Sequence, residues 1–255
     1  MTAVADTRVV TDHRRFRVGE IWRIARLHTV NSNVLFGVPW MILGVAFAVS
    51  AVIALIVQGA GVPRTEIQEG MRYSWAVISP QWYLVAVGVQ AIAYTFSFAL
   101  GFGATRRDYW LGTALIFTIV ATEMAVGIAT LVQIEKATDG WGIGLSMFNA
   151  LWYGQQGWLV DFYTTFAFQL LVLFIGASVT TVYMRWRIKG MMVLLFSAVA
   201  LLLGFVAWMT LADLWPQVIA WLASIGIVGG FSLLLALAVV FAITGYLVIR
   251  WATPR

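Results

Sequence analysis

The side chains that most often carry enzymatic chemistry are scarce in this sequence. It contains no cysteine, and its two histidines, His13 and His28, both precede the first long apolar stretch. The chain therefore offers no thiolate for a metal or a nucleophilic reaction, and no histidine to activate a serine within the apolar segments. Asp161 is the only aspartate inside a long apolar stretch, which excludes a protease built on two buried aspartates. We predict no catalytic residue and no metal ligand.

The two lysines are poorly placed for nucleotide binding. A phosphate-binding loop ends in Gly-Lys-Ser/Thr, whereas Lys136 follows a glutamate and Lys189 follows an isoleucine. We therefore expect no cofactor in this chain and no enzymatic activity of its own.

Polar side chains within the apolar stretches are the candidates for contact with a substrate. They are Gln90, Tyr94, Glu123, Asp161 and Gln169. Ionisable groups inside a membrane are costly and usually face a protein interior or a cavity. Such residues either line a translocation path or hold neighbouring helices together through hydrogen bonds. The sequence leaves both alternatives open.

A charged segment between two apolar stretches is the second chemical feature. Its members are Thr105, Arg106, Arg107, Asp108, Tyr109 and Trp110. Guanidinium and carboxylate groups form strong, directional hydrogen bonds to a partner. The Thr105 hydroxyl can cap a helix that begins at the next residue. The alternative is that the two arginines only fix the orientation of the neighbouring spans.

Most of the remaining chain is apolar. Of the 255 residues, 62% are hydrophobic and 11% are charged, whereas soluble domains carry about 25% charged residues. Six stretches reach the roughly 20 residues that cross a bilayer as a helix: 34–59, 81–103, 110–134, 158–184, 190–212 and 226–249. Backbone amides in lipid must be satisfied within each segment, and the runs do not alternate as barrel strands do. We predict an all-α membrane protein with six transmembrane helices.

The basic residues predict the orientation of these helices. Only Arg64, Arg72 and Lys136 of the 16 Lys and Arg residues fall on one side of the predicted membrane. The rest lie in the termini and in the loops near 104–109 and 185–189. Because basic residues accumulate in cytoplasmic loops, we predict a cell-membrane protein with both termini cytoplasmic. The net charge of +5 is then explained by the bilayer, and nucleic acid is not an expected partner.

Two domains are predicted, a cytoplasmic segment over residues 1–33 and a transmembrane domain over residues 34–255. Within the first, residues 14–29 combine several arginines with four apolar residues on one helical face: Val18, Ile21, Trp22 and Ala25. An amphipathic helix lying on anionic membrane lipid fits this pattern, and a basic flank that only sets topology is the alternative. Residues 213–225 and 141–157 are predicted to be short interfacial helices on the opposite side.

The segment around residue 105 resembles a motif of the membrane permease subunits of type-two ABC exporters. The resemblance is carried by Gly103, Thr105, Arg106, Arg107, Asp108, Tyr109, Gly112 and Thr113. It implies a dimeric pore of two permease subunits, of the same or of different chains, each bound to a cytoplasmic ATPase subunit that holds ATP and Mg. It also implies that residues 104–110 dock onto that ATPase and that transport is by alternating access.

The predicted function is therefore ATP-driven export of an amphipathic drug, peptide or lipid. The apolar stretch between the third and fourth spans departs from the family's pattern. A small secondary transporter or a membrane assembly factor that is not coupled to ATP is the alternative. Secondary transporters often contain repeats and broken helices, whereas this sequence has no evident repeat and only Pro39 clearly within a span.

Overall fold

The computed structural model describes residues 18–252, which form seven α-helices and no β-strand. The helices are α1 (Val18–His28), α2 (Val38–Gly59), α3 (Arg64–Met71), α4 (Pro80–Gly101), α5 (Arg106–Ala137), α6 (Trp158–Leu211) and α7 (Trp215–Ile249). Six residues on which the sequence-based predictions depend lie outside the described part: His13, Arg8, Arg14, Arg15, Arg17 and Arg255. The first part of the predicted amphipathic segment lies there as well.

Five helical stretches of the described chain are long and apolar enough to cross a membrane. They are Asn33–Gly59, Ala76–Gly101, Arg106–Ala137, Trp158–Leu211 and Trp215–Ile249. All six predicted apolar stretches fall within or largely within these helices, because the fourth and fifth both belong to α6. The chain thus has the helices of a membrane protein.

Two of the long helices are interrupted. A straight helix of the length of α6, 54 residues, would measure about 81 Å, against a hydrocarbon core of about 30 Å. The backbone leaves the helical conformation at Arg187 (φ 55°, ψ −148°), within the predicted loop 185–189. In α7 the corresponding break is Gly226 (φ 65°, ψ −172°), so a short helix precedes the last predicted span.

The helices α4 and α6 pack closely because glycines face each other where they cross. A Cβ atom on Gly88 would collide with the carbonyl oxygen of Leu173, and one on Gly176 would collide with that of Val85. Small residues allow helix backbones in membranes to approach in this way. Both helices contribute large buried side chains to one core cluster, including Leu84 and Phe174.

The bundle has two ends that differ in their connections. At the first, here called the α1 end, the turn between α4 and α5 lies beside α1 and the end of α7. At the second, the α3 end, α3 packs against the connection between α5 and α6. The sequence did not predict the α3 helix, because its residues are polar and few.

The helix α1 forms within the predicted amphipathic segment, and one face of it packs on the bundle. Ile24, Ala25 and His28 are buried, while Val18 and Trp22 are exposed. Only Ala25 of the four predicted apolar-face residues is therefore buried. The close contact with α5 is made through Ile24 and His28, whereas the predicted apolar face was expected to lie on lipid, and that expectation stays a prediction.

Residues 141–157 do not form the predicted interfacial helix. Left-handed backbone angles at Asp139 and Trp141, together with Gly140, Gly142 and Gly144, break the helix after α5. The segment folds back into the protein instead, and most of residues 144–154 are buried. The prediction was wrong because the segment's amides are bound by a side chain of α5, described below.

Candidate functional site

The turn between α4 and α5 carries the residues that the sequence singled out. Gly103 has a φ of +83°, which lets the chain reverse after α4. Thr105 is in an extended conformation, and its hydroxyl accepts the backbone N–H of Asp108 at 3.1 Å. The predicted N-cap is confirmed, and it fixes the point at which α5 begins.

The first residues of α5 form a polar surface at the α1 end. Thr105 and Arg107 are exposed, and Arg106 and Asp108 are partly exposed. The Arg106 guanidinium also donates a 2.8 Å hydrogen bond to the carbonyl oxygen of Arg250. This bond ties the start of α5 to the residue that follows α7.

Tyr109 and Trp110 differ from the preceding four residues because they are buried. The Tyr109 hydroxyl donates to the carbonyl oxygen of Ala91 in α4 at 2.8 Å. The Trp110 indole lies 6.4 Å from the Phe174 ring of α6 and leaves no room for a side chain at Gly245 of α7. Both aromatic side chains therefore anchor α5 inside the bundle and do not face a partner.

The helix α1 contacts the same part of α5. Gly112 is so close to Ile24 that a Cβ atom on the glycine would lie 2.6 Å from the isoleucine. His28 Nε2 is 3.0 Å from the Thr113 hydroxyl, which itself donates to the carbonyl oxygen of Tyr109. Burial lowers the pKa of His28 to about 4, so the imidazole is neutral at pH 7.

The candidate path residues have different surroundings. Gln90 and Tyr94 share a cavity of about 440 Å³ between α4 and the segment that leads into α2. Glu123 lies elsewhere, and its carboxylate accepts a 2.6 Å hydrogen bond from the Trp40 indole of α2. Gly127, one turn further along α5, leaves the space that this indole occupies. This hydrogen bond joins α5 to α2, while the second carboxyl oxygen of Glu123 is buried without a partner.

Asp161 and Gln169 are buried in α6 but have different surroundings. Asp161 accepts the backbone N–H of Gly154 at 2.8 Å and a longer bond from Gln133. The amide of Gln169 has no hydrogen-bond partner, and the same is true of Gln81 in α4. Buried amides without partners are costly. Gln169 was among the predicted candidates, whereas Gln81 was not, because it stands at the very start of its span.

A buried carboxylate that the sequence argument missed organises the α3 end. Glu135 is 1% exposed, and its side chain accepts four hydrogen bonds. Three come from the backbone N–H groups of Met147, Phe148 and Asn149, at 3.2, 3.2 and 2.7 Å. The fourth comes from the Trp141 indole at 3.0 Å. The glutamate thus holds the connection between α5 and α6 against the end of α5.

A polar cavity of about 510 Å³ opens beside this carboxylate and is called here the α3-end cavity. Its charged lining comprises Glu69, Arg72, Glu135, Lys136 and Asp139. Lys136 also donates to the carbonyl oxygen of Gly154 at 2.6 Å. Within residues 18–252, no group of three or more His, Cys, Asp or Glu side chains is arranged to hold a metal ion.

Comparisons of the chain with protein-family models, curated proteins and solved structures find no match.

Proposed function

We propose that this chain is the membrane permease subunit of an ATP-driven exporter of the type-two ABC class. The polar surface of Thr105, Arg106, Arg107 and Asp108 would contact a cytoplasmic ATPase subunit, which binds the ATP and Mg. The observation that carries the proposal is that this surface leads directly into two buried aromatic anchors, Tyr109 and Trp110.

The anchors explain how a movement at the surface would reach the bundle. The first two turns of α5 contact α1, α4, α6 and α7 through Gly112, Tyr109 and Trp110. Closely packed side chains do not deform continuously but change between discrete arrangements. A displacement of the exposed turn is therefore expected to move several helices together, as alternating access requires.

The proposal includes six membrane crossings with both termini cytoplasmic. The break at Arg187 supports a reversal of the chain there, since an uninterrupted α6 would be far longer than a bilayer is thick. Arg185, Arg187 and Lys189 would then lie on the same side as Arg106 and Arg107, in agreement with the distribution of basic residues.

A second permease subunit would complete the pore. The part of α6 after Arg187 exposes apolar side chains on most of its surface, which suits contact with lipid or with such a subunit. The translocated molecule would be amphipathic, because the described spans present few charges.

The proposal is tested by isolating the tagged chain from its native host in mild detergent. We expect an ATPase subunit to copurify, and we expect Arg106→Glu with Arg107→Glu to reduce its recovery by at least about tenfold, as loss of charged contacts at an interface does. Abundance in the membrane fraction shows whether the variant still inserts.

The matched control is Arg185→Glu with Lys189→Glu, which reverses two charges in the other basic loop. This control removes the same topological signal but leaves the turn at Thr105 intact. If the wild-type chain is isolated in active form without an ATPase, the proposal is wrong, and a secondary transporter or an assembly factor becomes the better explanation. If the two double variants recover equal amounts of the ATPase, the turn at Thr105 is not part of the coupling interface.

A further inference from the structure

The α3-end cavity has the dimensions and the lining of a ligand site. Its volume of about 510 Å³ lies in the range of about 300–1,000 Å³ that is typical of small-molecule pockets. The helix α3 forms one wall, and the end of α5 with the following connection forms the other. These walls are held together by hydrogen bonds from Gln68 to Asp139 and from Leu151 to the carbonyl oxygen of Arg72.

Charges of both signs line this cavity. Glu135 offers a ligand no further hydrogen-bond acceptor, because its carboxylate already accepts four hydrogen bonds within the protein. Two cations, Arg72 and Lys136, and two carboxylates, Glu69 and Asp139, remain. A ligand that carries both a negative and a positive group is the complement of such a lining.

An apolar groove of about 170 Å³ lies on the other side of the same segment. Among the residues that line it are Gly44, Leu131, Trp141 and Phe148. Two of these are bonded to the Glu135 carboxylate, Trp141 through its indole and Phe148 through its backbone N–H. The polar cavity and the apolar groove are therefore neighbours, joined through one buried side chain.

The groove and the cavity lie at different levels along α5. Leu131 lies within the apolar part of α5, about 9 Å before its end at Ala137. The cavity is lined by the end of α5 and by residues beyond it. The groove therefore lies nearer the apolar middle of α5 than the cavity does, an arrangement that suits an acyl chain beside a polar head group.

We propose that the α3-end cavity and this groove form a binding site for a zwitterionic phospholipid of the phosphatidylethanolamine class, taken from the leaflet at the α3 end. Arg72 would bind the phosphate through its planar guanidinium, with Lys136 as a second cation. Glu69 and Asp139 would accept hydrogen bonds from the primary ammonium, which a trimethylated choline cannot donate. An acyl chain would lie in the groove. This site is independent of the proposed coupling to an ATPase.

The test is a lipid titration of the purified, delipidated full-length chain, followed by native mass spectrometry. The probes are phosphatidylethanolamine, phosphatidylcholine, phosphatidylglycerol and water-soluble phosphoethanolamine. We expect phosphatidylethanolamine to bind most tightly. We expect Arg72→Gln and Glu69→Gln each to weaken its binding by about tenfold, as removal of a charged hydrogen bond does.

Matched controls lie on α3, which contains Glu69 and ends one residue before Arg72. Arg64→Gln and Glu66→Gln remove the same charges from α3, but neither residue lines the cavity, so binding should be unchanged. The groove is tested by Gly44→Leu, because a side chain at Gly44 meets no atom within 4 Å and would occupy the groove. Gly59→Leu, also on α2 and equally free of contacts, is its control.

Several outcomes would overturn the proposal. Equal binding of phosphatidylcholine would contradict the role of the carboxylates, and preference for phosphatidylglycerol would contradict a zwitterionic ligand. Phosphoethanolamine that binds as tightly as the lipid would exclude the groove. If Arg72→Gln fails to fold, Gly44→Leu still decides, because unchanged lipid binding in that variant places the lipid elsewhere.

Discussion

Replacing Glu135 by glutamine is expected to release the connection between α5 and α6. One carboxylate oxygen accepts from Asn149, and the other accepts from Met147, Phe148 and Trp141. A glutamine keeps one oxygen and puts an NH₂ donor in the place of the other. Whichever way the amide is turned, at least one backbone N–H then faces a donor and loses its partner.

The magnitude follows from the number of bonds that are lost. Removing one hydrogen bond to a charged acceptor and leaving its buried donor unpaired costs about 1.5–3 kcal/mol. This range corresponds to an increase of roughly 10- to 150-fold in the equilibrium for local opening. Glu135→Ala leaves all four donors without this acceptor, and we expect it to open the segment further.

Hydrogen exchange by mass spectrometry on peptides that cover residues 145–150 measures this opening. Asp139→Asn is the control, because Asp139 lies at the same end of the bundle, accepts from Gln68, and has a left-handed conformation that asparagine tolerates. Exchange in the Glu135→Gln variant within about threefold of the wild type, under conditions where local opening controls exchange, would refute the role assigned to this carboxylate.

Two further predictions concern the packing of α1 and of α6. The pKa of His28, about 4, is below its usual value, so the stability that is present above pH 6.5 should be lost as the pH falls through 4. We expect a loss of about 3 kcal/mol in the free energy of unfolding. The unfolding midpoint measured against pH should show this loss in the wild type and not in His28→Gln. Gly176→Ala should separate α4 from α6 because the added methyl group meets the carbonyl oxygen of Val85, at a cost of about 1–3 kcal/mol. Gly204→Ala, where no atom lies within 4 Å, should leave the midpoint of thermal unfolding unchanged, and equal midpoints for both alanine variants would contradict the close crossing.

The apolar stretches and one helix cap were readable from the sequence because their causes are local. A run of apolar residues long enough to cross a bilayer has to be helical wherever it packs, and all six predicted stretches lie in helices or nearly so. Thr105 caps α5 through an N–H group three residues away, a contact that needs no other part of the chain. The prediction for residues 141–157 failed because composition alone does not show that a distant carboxylate binds a segment's amides.

What each polar residue does was decided by contacts between residues far apart in the chain. Glu123 and Trp40 are bonded although they belong to different helices, and only the packing of α2 on α5 brings them together. Tyr109 and Trp110 belong to the motif around Thr105, yet the bundle buries them while the four residues before them stay at the surface. The sequence by itself determined that the long apolar segments are helical, since lipid allows the backbone no other partner. Only the tertiary structure decided which side chains are anchors, which line a cavity and which remain accessible, because burial depends on the neighbours that folding supplies.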